Sequence, residues 1–241
     1  MKLDVSPMSS ETIDLGRPSP ESTGLARAVE RAIRDSRALD VESLCIEAGE
    51  RVWEVECSVI VTSLGGNAQD ACILAAIASL RHFRRPEVAV SGDGATVKAY
   101  REGVPTPLSV HHTPISVSFA LIRVPPAASS TADDDGTGTG GSQTPFRMES
   151  SPSGVVTASS VHAGSTGLVA VMDPTDREEA VAAARITFCF TAGGRELCFL
   201  DKPGGSPLDS DLFDACLTEA QTHARVVSKG LDNAIRLAEI R

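Results

Sequence analysis

Aromatic residues are scarce in this sequence, and the scarcity limits how much of the chain can form a packed core. Phe, Trp and Tyr make up 4% of the 241 residues, with one Trp and one Tyr, and apolar residues make up 41%. A chain of this length has room for one large domain or two small ones, and it can bury a core without disulfide or metal staples. The composition therefore predicts that part of the chain lies outside the core.

Positive charge is also in deficit. There are 22 Lys and Arg residues against 32 Asp and Glu residues, which gives a formal net charge of −10. Because phosphate contacts need clustered positive charge, this balance argues against a stand-alone nucleic-acid binder. A local basic patch, or a position inside a larger assembly, remains compatible with it.

The sequence has no C-x-x-C pair, no secretory leader and no long apolar run. Residues 1–7 lack the apolar core of a signal peptide, and no run approaches the ~18–20 residues of a membrane helix. The six cysteines lie in apolar stretches, where cysteine behaves as a small hydrophobic residue; they are Cys45, Cys57, Cys72, Cys189, Cys198 and Cys216. We expect buried, reduced thiols in a soluble intracellular protein.

The first half of the chain mixes short strands with two helices. We predict strands over residues 2–8, 41–48, 51–64, 87–91 and 95–101, and helices over residues 20–36 and 70–83. Residues 51–64 alternate between apolar and polar, as in a half-buried strand. Gly65 and Gly66 end that strand, Asn67 caps the next helix, and this helix is apolar on most sides, as in a central buried helix.

The second half repeats strands followed by a long helix. We predict strands over residues 115–122, 168–172, 185–191 and 195–200, and helices over residues 175–183 and 210–240. Residues 125–166 differ, because 25 of these 42 residues are Ser, Thr, Gly or Pro. We interpret them as a disordered insertion between two parts of one domain, 1–124 and 167–241. Two sheet-plus-helix halves predict an α+β fold.

Three clusters could carry chemistry, and each has a structural alternative. Residues 65–69 join a strand to a helix N-terminus, which is a natural anion site but is more often a tight turn. The acidic segment 173–179 could hold a divalent metal, yet acids at this point more often form turns and helix N-termini. His111 and His112 are adjacent, so they face opposite sides of a strand and make poor joint metal ligands.

Arginines form two groups that could touch phosphate. Arg84 and Arg85 follow the central helix, and neither has an obvious partner nearby in the sequence. The other group lies around the first helix and comprises Arg17, Arg27, Arg31 and Arg34. A solvated helix face paired with Glu21 and Glu30 explains most of this second group equally well.

Several runs together resemble RNase PH-like ring subunits of the eukaryotic RNA exosome, within the subunit family that includes the PM/Scl autoantigen. They are residues 40–53 (DVESLCIEAGERVW), 70–77 (DACILAAI), 82–86 (HFRRP) and 107–112 (PLSVHH), and residues 173–179 fit that family's D-P-x-x-x-E-E pattern. The resemblance covers residues 2–124 and 167–240. It implies an RNase PH-like α+β domain (ribosomal protein S5 domain 2-like, with two βαβα-type halves) that lacks the family's first strands.

The resemblance also implies that the catalytic site is degenerate. Active members carry D-G-G-T-R at the strand-to-helix turn, where the Thr and Arg hold the attacking phosphate. Here Gly65 replaces the Asp, Ala68 the Thr and Gln69 the Arg. Loss of the hydroxyl and guanidinium removes the charge-assisted bonds that phosphate needs. Active members also place an acid just before the strand that matches residues 185–190, where this chain has Ala182-Ala183-Ala184.

From this resemblance we expect a non-catalytic ring subunit that needs no cofactor or metal. Its expected partners are other RNase PH-like ring subunits, S1/KH cap subunits, a separate catalytic exoribonuclease subunit and RNA in the ring channel. Arg17, Arg84 and Arg85 are the RNA-binding candidates, and the expected locations are nucleus, nucleolus and cytoplasm. The alternatives are an active phosphorolytic 3′–5′ exoribonuclease, a paralogous ring subunit and a free-standing interaction protein.

Overall fold

The computed structural model describes residues 1–6, 9, 20–91, 94–97, 103–124, 160–161 and 167–239. The strands are β1 Lys2–Val5, β2 Cys45–Glu47, β3 Arg51–Val52, β4 Ser58–Val61, β5 Arg84–Arg85, β6 Val88–Ser91, β7 Gly94–Val97, β8 Thr106–Pro107, β9 Pro114–Arg123, β10 Ser160–Val161, β11 Leu168–Met172, β12 Ala184–Thr191 and β13 Leu197–Asp201. The helices are α1 Pro20–Glu30, α2 Ala68–His82, α3 Asp176–Val181 and α4 Ser210–Glu239. A π-helical turn, Arg31–Asp35, continues α1, and a 3₁₀ turn, Glu42–Leu44, precedes β2.

The main sheet has five antiparallel strands in the order β10-β11-β9-β12-β13. Its central strand β9 is buried over its first eight residues, because layers of the protein cover both faces. Phe119 on β9 meets Phe188 on β12 edge to face, with ring centroids 6.1 Å apart. Phe188 also lies 5.5 Å from the ring of Phe213 on α4. The sheet and the long helix therefore share one aromatic core.

Two apolar clusters meet at the central helix. One lies between the main sheet and α4, whose residues Leu212, Cys216, Ala220, Ala224 and Leu231 step along one buried face. The other joins α1, β4 and α2. Helix α2 contributes Ile77 to the first cluster and Ile73 to the second. The expectation of a central buried helix is confirmed, and so is the mixed α+β fold.

The predicted strand over residues 51–64 is interrupted. β3 pairs with β2, and β4 pairs in parallel with β1, from Lys2 opposite Ser58 to Val5 opposite Val61. Residues 53–57 between them form no strand. The alternation in burial nevertheless continues, with Cys57, Val59 and Val61 buried and Ser58 and Ile60 exposed. The sequence pattern predicts which side chains of this segment are buried and which are exposed. The ends of the strands depend instead on where a neighbouring strand is available for pairing.

Local hydrogen bonds explain a second difference. The predicted strand over residues 41–48 begins with a 3₁₀ turn and only then continues as β2. The carboxylate of Asp40 accepts hydrogen bonds from the backbone N–H groups of Glu42, at 3.1 Å, and Ser43, at 3.4 Å. Aspartate commonly forms such turns, because its short side chain competes with the strand ladder for backbone donors.

The six thiols are all free, but they are not all buried. Cys57, Cys72, Cys189 and Cys216 are buried, Cys198 is half-buried and Cys45 is exposed. The expectation of burial is therefore wrong for Cys45, which lies at the start of a strand paired on one edge only with β3. A hydrophobic sequence neighbourhood does not ensure that the matching face is covered.

The predicted insertion contains one short strand. β10 pairs with β11, with Ser160 opposite Val171 and Val161 opposite Ala170. The rest of residues 125–166 lies outside the described residues. In the part of the chain that the structure describes, no helix is both long enough and apolar enough to cross a membrane.

Candidate functional site

The turn between β4 and α2 fits closely against a distant segment of the chain. Gly66 has φ +110°, and a Cβ there would lie 2.6 Å from the backbone nitrogen of Asp176 and closer still to Pro174. The N–H of Asp176 donates to the carbonyl oxygen of Gly65 at 3.1 Å. Only glycine allows this approach, since any side chain would collide with backbone atoms. The turn is therefore a docking point between the two halves of the fold.

Asn67 links the two halves through its side chain. It has φ 44°, a left-handed conformation that Asn tolerates, and its side chain makes no cap hydrogen bond to α2. Its Nδ2 instead donates to Asp70 at 2.9 Å and to Asp173 at 2.7 Å. Asn67 is thus a connector rather than the side-chain cap that the sequence predicts.

Asp70 receives further hydrogen bonds from the central strand. The backbone N–H of Ser118 donates to Asp70 Oδ2 at 2.7 Å, and the Ser118 hydroxyl donates to Oδ1 at 2.9 Å. Ser118 Oγ also lies 2.9 Å from the Thr187 hydroxyl. Burial raises the pKa of Asp70, and the hydrogen bonds to the carboxylate partly oppose that rise. This network fixes the N-terminal end of α2 on the sheet.

A carboxylate of the same chain occupies the anion-attracting end of α2. Glu179 Oε1 accepts a hydrogen bond from the backbone N–H of Asn67 at 3.4 Å and one from Arg185 Nη1 at 3.1 Å. Gln69, at the position that resembles the family's Arg, has a buried Nε2 without a hydrogen-bond partner. One backbone N–H at the start of α2 thus already faces a carboxylate of the same chain, and position 69 carries a neutral amide rather than a cation.

The acidic segment 173–179 has structural roles. Thr175 and Glu178 form a capping box at the start of α3, with Glu178 Oε2 accepting from the Thr175 N–H and hydroxyl at 2.8 Å each. Asp173 and Glu179 receive the donors of Asn67 described above. Within the described ranges, no group of three or more His, Cys, Asp or Glu side chains could hold a metal ion.

The alanines at positions 182–184, the last of which begins β12, carry no acid–base group. Ala182 ends α3, and the N–H of Ala183 donates to the carbonyl oxygen of Leu121 at 2.8 Å. Gly205 packs so closely on this segment that a Cβ there would lie 2.8 Å from Ala184 Cα. The segment is therefore tightly packed backbone with methyl side chains.

The structure gives the candidate RNA-binding arginines partners that the sequence does not reveal. Arg84 Nη1 donates to three carbonyl oxygens at the end of α2: Arg81 at 2.8 Å and His82 and Phe83 at 3.1 Å each. The expectation that Arg84 lacks a local partner is therefore wrong. Arg85 Nη1 donates to the carbonyl oxygen of Ser43 at 2.7 Å. Arg17 lies outside the described residues.

Two arginines of the first helical segment form ion pairs, but only Arg34 pairs with one of the glutamates that the structural alternative names. Arg34 pairs with Glu30 at 2.9 Å, one helical turn away. Arg31 pairs with Asp201 at 3.3 Å, and its guanidinium lies 5.8 Å from the ring centroid of Phe199. Arg27 is exposed. The face as a whole is a solvated surface rather than a bare cationic patch.

The two adjacent histidines have different environments. His111 is exposed, with Nε2 3.9 Å from Asp40. His112 is half-buried, with Nε2 3.2 Å from Ser36 Oγ, and burial together with the neighbouring His111 lowers its pKa.

Sequence reasoning did not identify Ser116, Ser118, Thr187 and His223 as site residues. The alternation along β9 and β12 predicts that some side chains of these two strands point inward, but it does not predict which helix those side chains face. Only the packing of α2 and α4 on the sheet brings them toward Asp70 and Asp173.

Comparison with known proteins identifies the family. Sequence models of the 3′ exoribonuclease family match residues 1–86 (domain 1) and 157–222 (domain 2). Exosome complex component RRP45A of Arabidopsis thaliana is 31% identical over 235 residues, covering 96% of this chain and 62% of that protein. Exosome complex component rrp45 of Schizosaccharomyces pombe is 30% identical over 240 residues, covering 98% and 68%. The chain thus spans somewhat less than two thirds of the Arabidopsis relative.

Solved structures show the same fold. An Archaeoglobus fulgidus exosome with RNA bound to the active site matches with a TM-score of 0.64 and 26% identity over 95% of this chain and 68% of that chain. An archaeal exosome core matches with a TM-score of 0.59 and 24% identity, covering 95% and 67%. With family models over both halves and relatives along the whole chain, this protein belongs to the RNase PH-type 3′ exoribonuclease family and is a relative of the exosome component RRP45.

Proposed function

We propose that this chain is a non-catalytic subunit of an RNA exosome core ring. It contributes to ring assembly and RNA threading in 3′–5′ RNA processing and degradation, including rRNA maturation and mRNA turnover. The observation that carries this proposal is the closed end of α2, where Glu179 accepts the N–H of Asn67. Family membership provides the ring context, and this contact argues against phosphate binding at the start of α2.

Phosphorolysis needs phosphate held beside the RNA end, and the geometry opposes it. The free N–H groups and dipole at a helix N-terminus favour an anion, but here an internal carboxylate already provides that negative charge. A phosphate placed there would have to displace Glu179 from Asn67 and Arg185, and it would find neither the Thr hydroxyl nor the Arg guanidinium of active members at positions 68 and 69. Ala182 and its two alanine neighbours supply no proton donor for the 3′ oxygen of the shortened RNA, which leaves when phosphate attacks the terminal phosphodiester to form the nucleoside diphosphate.

The relatives' names, exosome complex component, support ring subunits as partners, and the finer partners and the locations are extensions of the family resemblance. We propose other RNase PH-like ring subunits and S1/KH cap subunits as neighbours, with RNA passing through the channel to a separate catalytic exoribonuclease subunit. The proposed locations are nucleus, nucleolus and cytoplasm. The net charge of −10 fits a ring sector in which only the channel lining needs to be basic.

The catalytic part of the proposal is tested with inorganic phosphate. The purified chain and the reconstituted ring are incubated with single-stranded RNA, with and without phosphate, and nucleoside diphosphates are measured. We expect no phosphate-dependent release from the chain alone. Release by the chain would support the active-exoribonuclease alternative and contradict the closed-site argument. Co-purification with ring and cap subunits tests membership separately, and a failure to recover any of them would contradict the ring assignment.

The RNA path is tested by charge reversal. We propose Arg84, Arg85 and Arg17 as channel contacts, and Arg85 is the clearest test because one of its donors is fixed on Ser43 while guanidinium has five N–H groups in all. Arg85→Glu in the assembled ring should shorten the RNA fragment protected from nuclease, and the effect should weaken with added salt. Arg34→Glu, on the paired face of α1, is the matched control and should leave protection unchanged. Equal protection by both variants would remove Arg85 from the path.

A further inference from the structure

Two cysteine side chains meet across the last two strands of the main sheet. In the antiparallel pair of β12 and β13, Cys189 lies opposite Phe199, and the next residue pair is Phe190 with Leu197. Cys198 is therefore an extra residue of β13 at this register shift, as in a β-bulge. No part of the proposed exosome function uses these two thiols.

The register shift brings Cys198 to the side of the sheet on which Cys189 lies. In a regular strand, Cys198 and Phe199 would point to opposite faces, but here both pack with Cys189 against the apolar cluster of α1, β4 and α2. The thiols of Cys189 and Cys198 are in hydrogen-bond contact. Opposing Cα atoms of antiparallel strands lie about 4.5–5.5 Å apart, within the ~4.4–6.8 Å that a disulfide spans. The two strands are thus already spaced for a bond between these sulfurs.

The two thiols differ in access and in acidity. Cys189 is fully buried, whereas Cys198 is half-buried. The hydrogen bond from the Cys189 thiol lowers the pKa of Cys198, and that bond together with burial raises the pKa of Cys189. Because the thiolate is the nucleophile in thiol–disulfide exchange, Cys198 is the thiol that reacts with a dissolved disulfide. Cys189 needs no access to solvent, since its reaction partner is the neighbouring sulfur.

We propose that Cys189 and Cys198 form a redox-sensitive dithiol, which oxidised glutathione converts to a disulfide between β12 and β13. The Cys198 thiolate attacks one sulfur of oxidised glutathione, which forms a mixed disulfide and releases one glutathione thiolate. Cys189 then gives up its proton and attacks the Cys198 sulfur, which forms the disulfide and releases the second glutathione. In total, the protein loses two electrons and two protons, and oxidised glutathione is reduced to two glutathione molecules.

The disulfide acts on the edge of the main sheet. Among the described strands, β13 is at the end of the five-stranded order and pairs with β12 alone. Asp201 on β13 pairs with Arg31 at 3.3 Å, and the Arg31 guanidinium lies over the ring of Phe199. A covalent bond between β12 and β13 therefore restrains the contact between this edge and the π-helical turn after α1, and reduction releases it. The proposal is independent of ring membership, because it rests on these two strands alone.

The experiment incubates the folded full chain in buffers with an increasing ratio of oxidised to reduced glutathione. N-Ethylmaleimide then blocks the remaining thiols, and unreduced tryptic peptides are analysed by mass spectrometry. Trypsin cleaves after Arg195, between the two cysteines, so the disulfide leaves two peptides joined. We expect the Cys189–Cys198 peptide pair to be the main protein disulfide, with loss of N-ethylmaleimide labelling at both positions. Dithiothreitol should restore both thiols.

Two variants separate the steps, and a third is the matched control. In Cys189→Ala, the glutathione mixed disulfide on Cys198 should persist, because the thiol that resolves it is absent. In Cys198→Ala, Cys189 should stay reduced, because it is fully buried. Cys45→Ser removes the exposed thiol of β2 and should leave the Cys189–Cys198 peptide pair unchanged.

The proposal is overturned if wild type yields no Cys189–Cys198 peptide pair at glutathione ratios that already modify exposed Cys45. It is also overturned if wild type keeps glutathione on Cys198 as Cys189→Ala does, or if Cys198 pairs with a different cysteine. The wild-type measurement needs no substitution, so it decides the matter even if an alanine variant does not fold.

Discussion

Replacing Gly66 by alanine tests how the two halves are joined. Gly66 has φ +110°, which L-residues rarely adopt, and its missing side chain is where Asp176 and Pro174 approach. Backbone strain of this kind costs about 1–3 kcal/mol, and overpacking against fixed atoms costs about 1–3 kcal/mol more. We therefore expect Gly66→Ala to lower the free energy of unfolding by about 2–6 kcal/mol, a large part of the ~5–15 kcal/mol typical of a domain.

The neighbouring glycine is the matched control. A Cβ on Gly65 would meet nothing within 4 Å, and its φ lies outside the left-handed region. Gly65→Ala should change stability by no more than about 1 kcal/mol, and it could raise it by restricting the unfolded chain. Urea unfolding followed by circular dichroism compares the two variants. Equal transition midpoints would refute the close approach between the β4–α2 turn and the segment before α3.

Further predictions concern the buried network, the core and the thiols. Because burial raises the pKa of Asp70, its titration favours the folded state below its ordinary pKa of 3.8, and this contribution is lost as pH rises through the raised value. The stability of wild type relative to Asp70→Asn, measured by urea unfolding at several pH values, should thus be greatest in acid and shrink with rising pH; a growing difference would contradict the shift. Phe188→Ala, at the fully buried contact of sheet and α4, should cost about 3–5 kcal/mol in the same unfolding assay, and a loss under about 1 kcal/mol would contradict the packing. Iodoacetamide should label exposed Cys45 in the native protein, whereas Cys216, whose pKa burial raises to about 11, should react only after unfolding, as mass spectrometry of the peptides will show.

Periodicity in the sequence predicts most of the elements. The predicted strand over 168–172 coincides with β11, and the long helix agrees through Glu239. The predictions are wrong where strand pairing or burial depends on a segment that is distant in the sequence. Residues 53–57 alternate as a strand should, yet within the described residues no strand pairs with them. Cys45 sits beside apolar residues, yet its side chain is exposed. Local pattern predicts which side chains share a face, but pairing and cover come from distant parts of the chain.

The candidate site shows the same division. The residues that replace the family's phosphate ligands, Gly65, Ala68 and Gln69, can be read from the sequence once the resemblance is noticed. The contact that closes the helix end cannot, because Glu179 lies 112 positions from Asn67. Nor does the sequence indicate that the guanidinium of Arg84 donates hydrogen bonds to carbonyl oxygens at the end of α2.

By itself, the sequence determined the fold class and the family resemblance, and it predicts that the phosphate-binding side chains are replaced, because these depend on local periodicity and on which residue occupies each position. The tertiary structure decided which contacts are formed at the start of α2. Packing of the two halves brings Asp70 and Asp173 to the side chain of Asn67 and Glu179 to its backbone N–H. Hydrogen bonds and desolvation act over a few ångströms in space, so the sequence separation of these residues hides them until the chain folds.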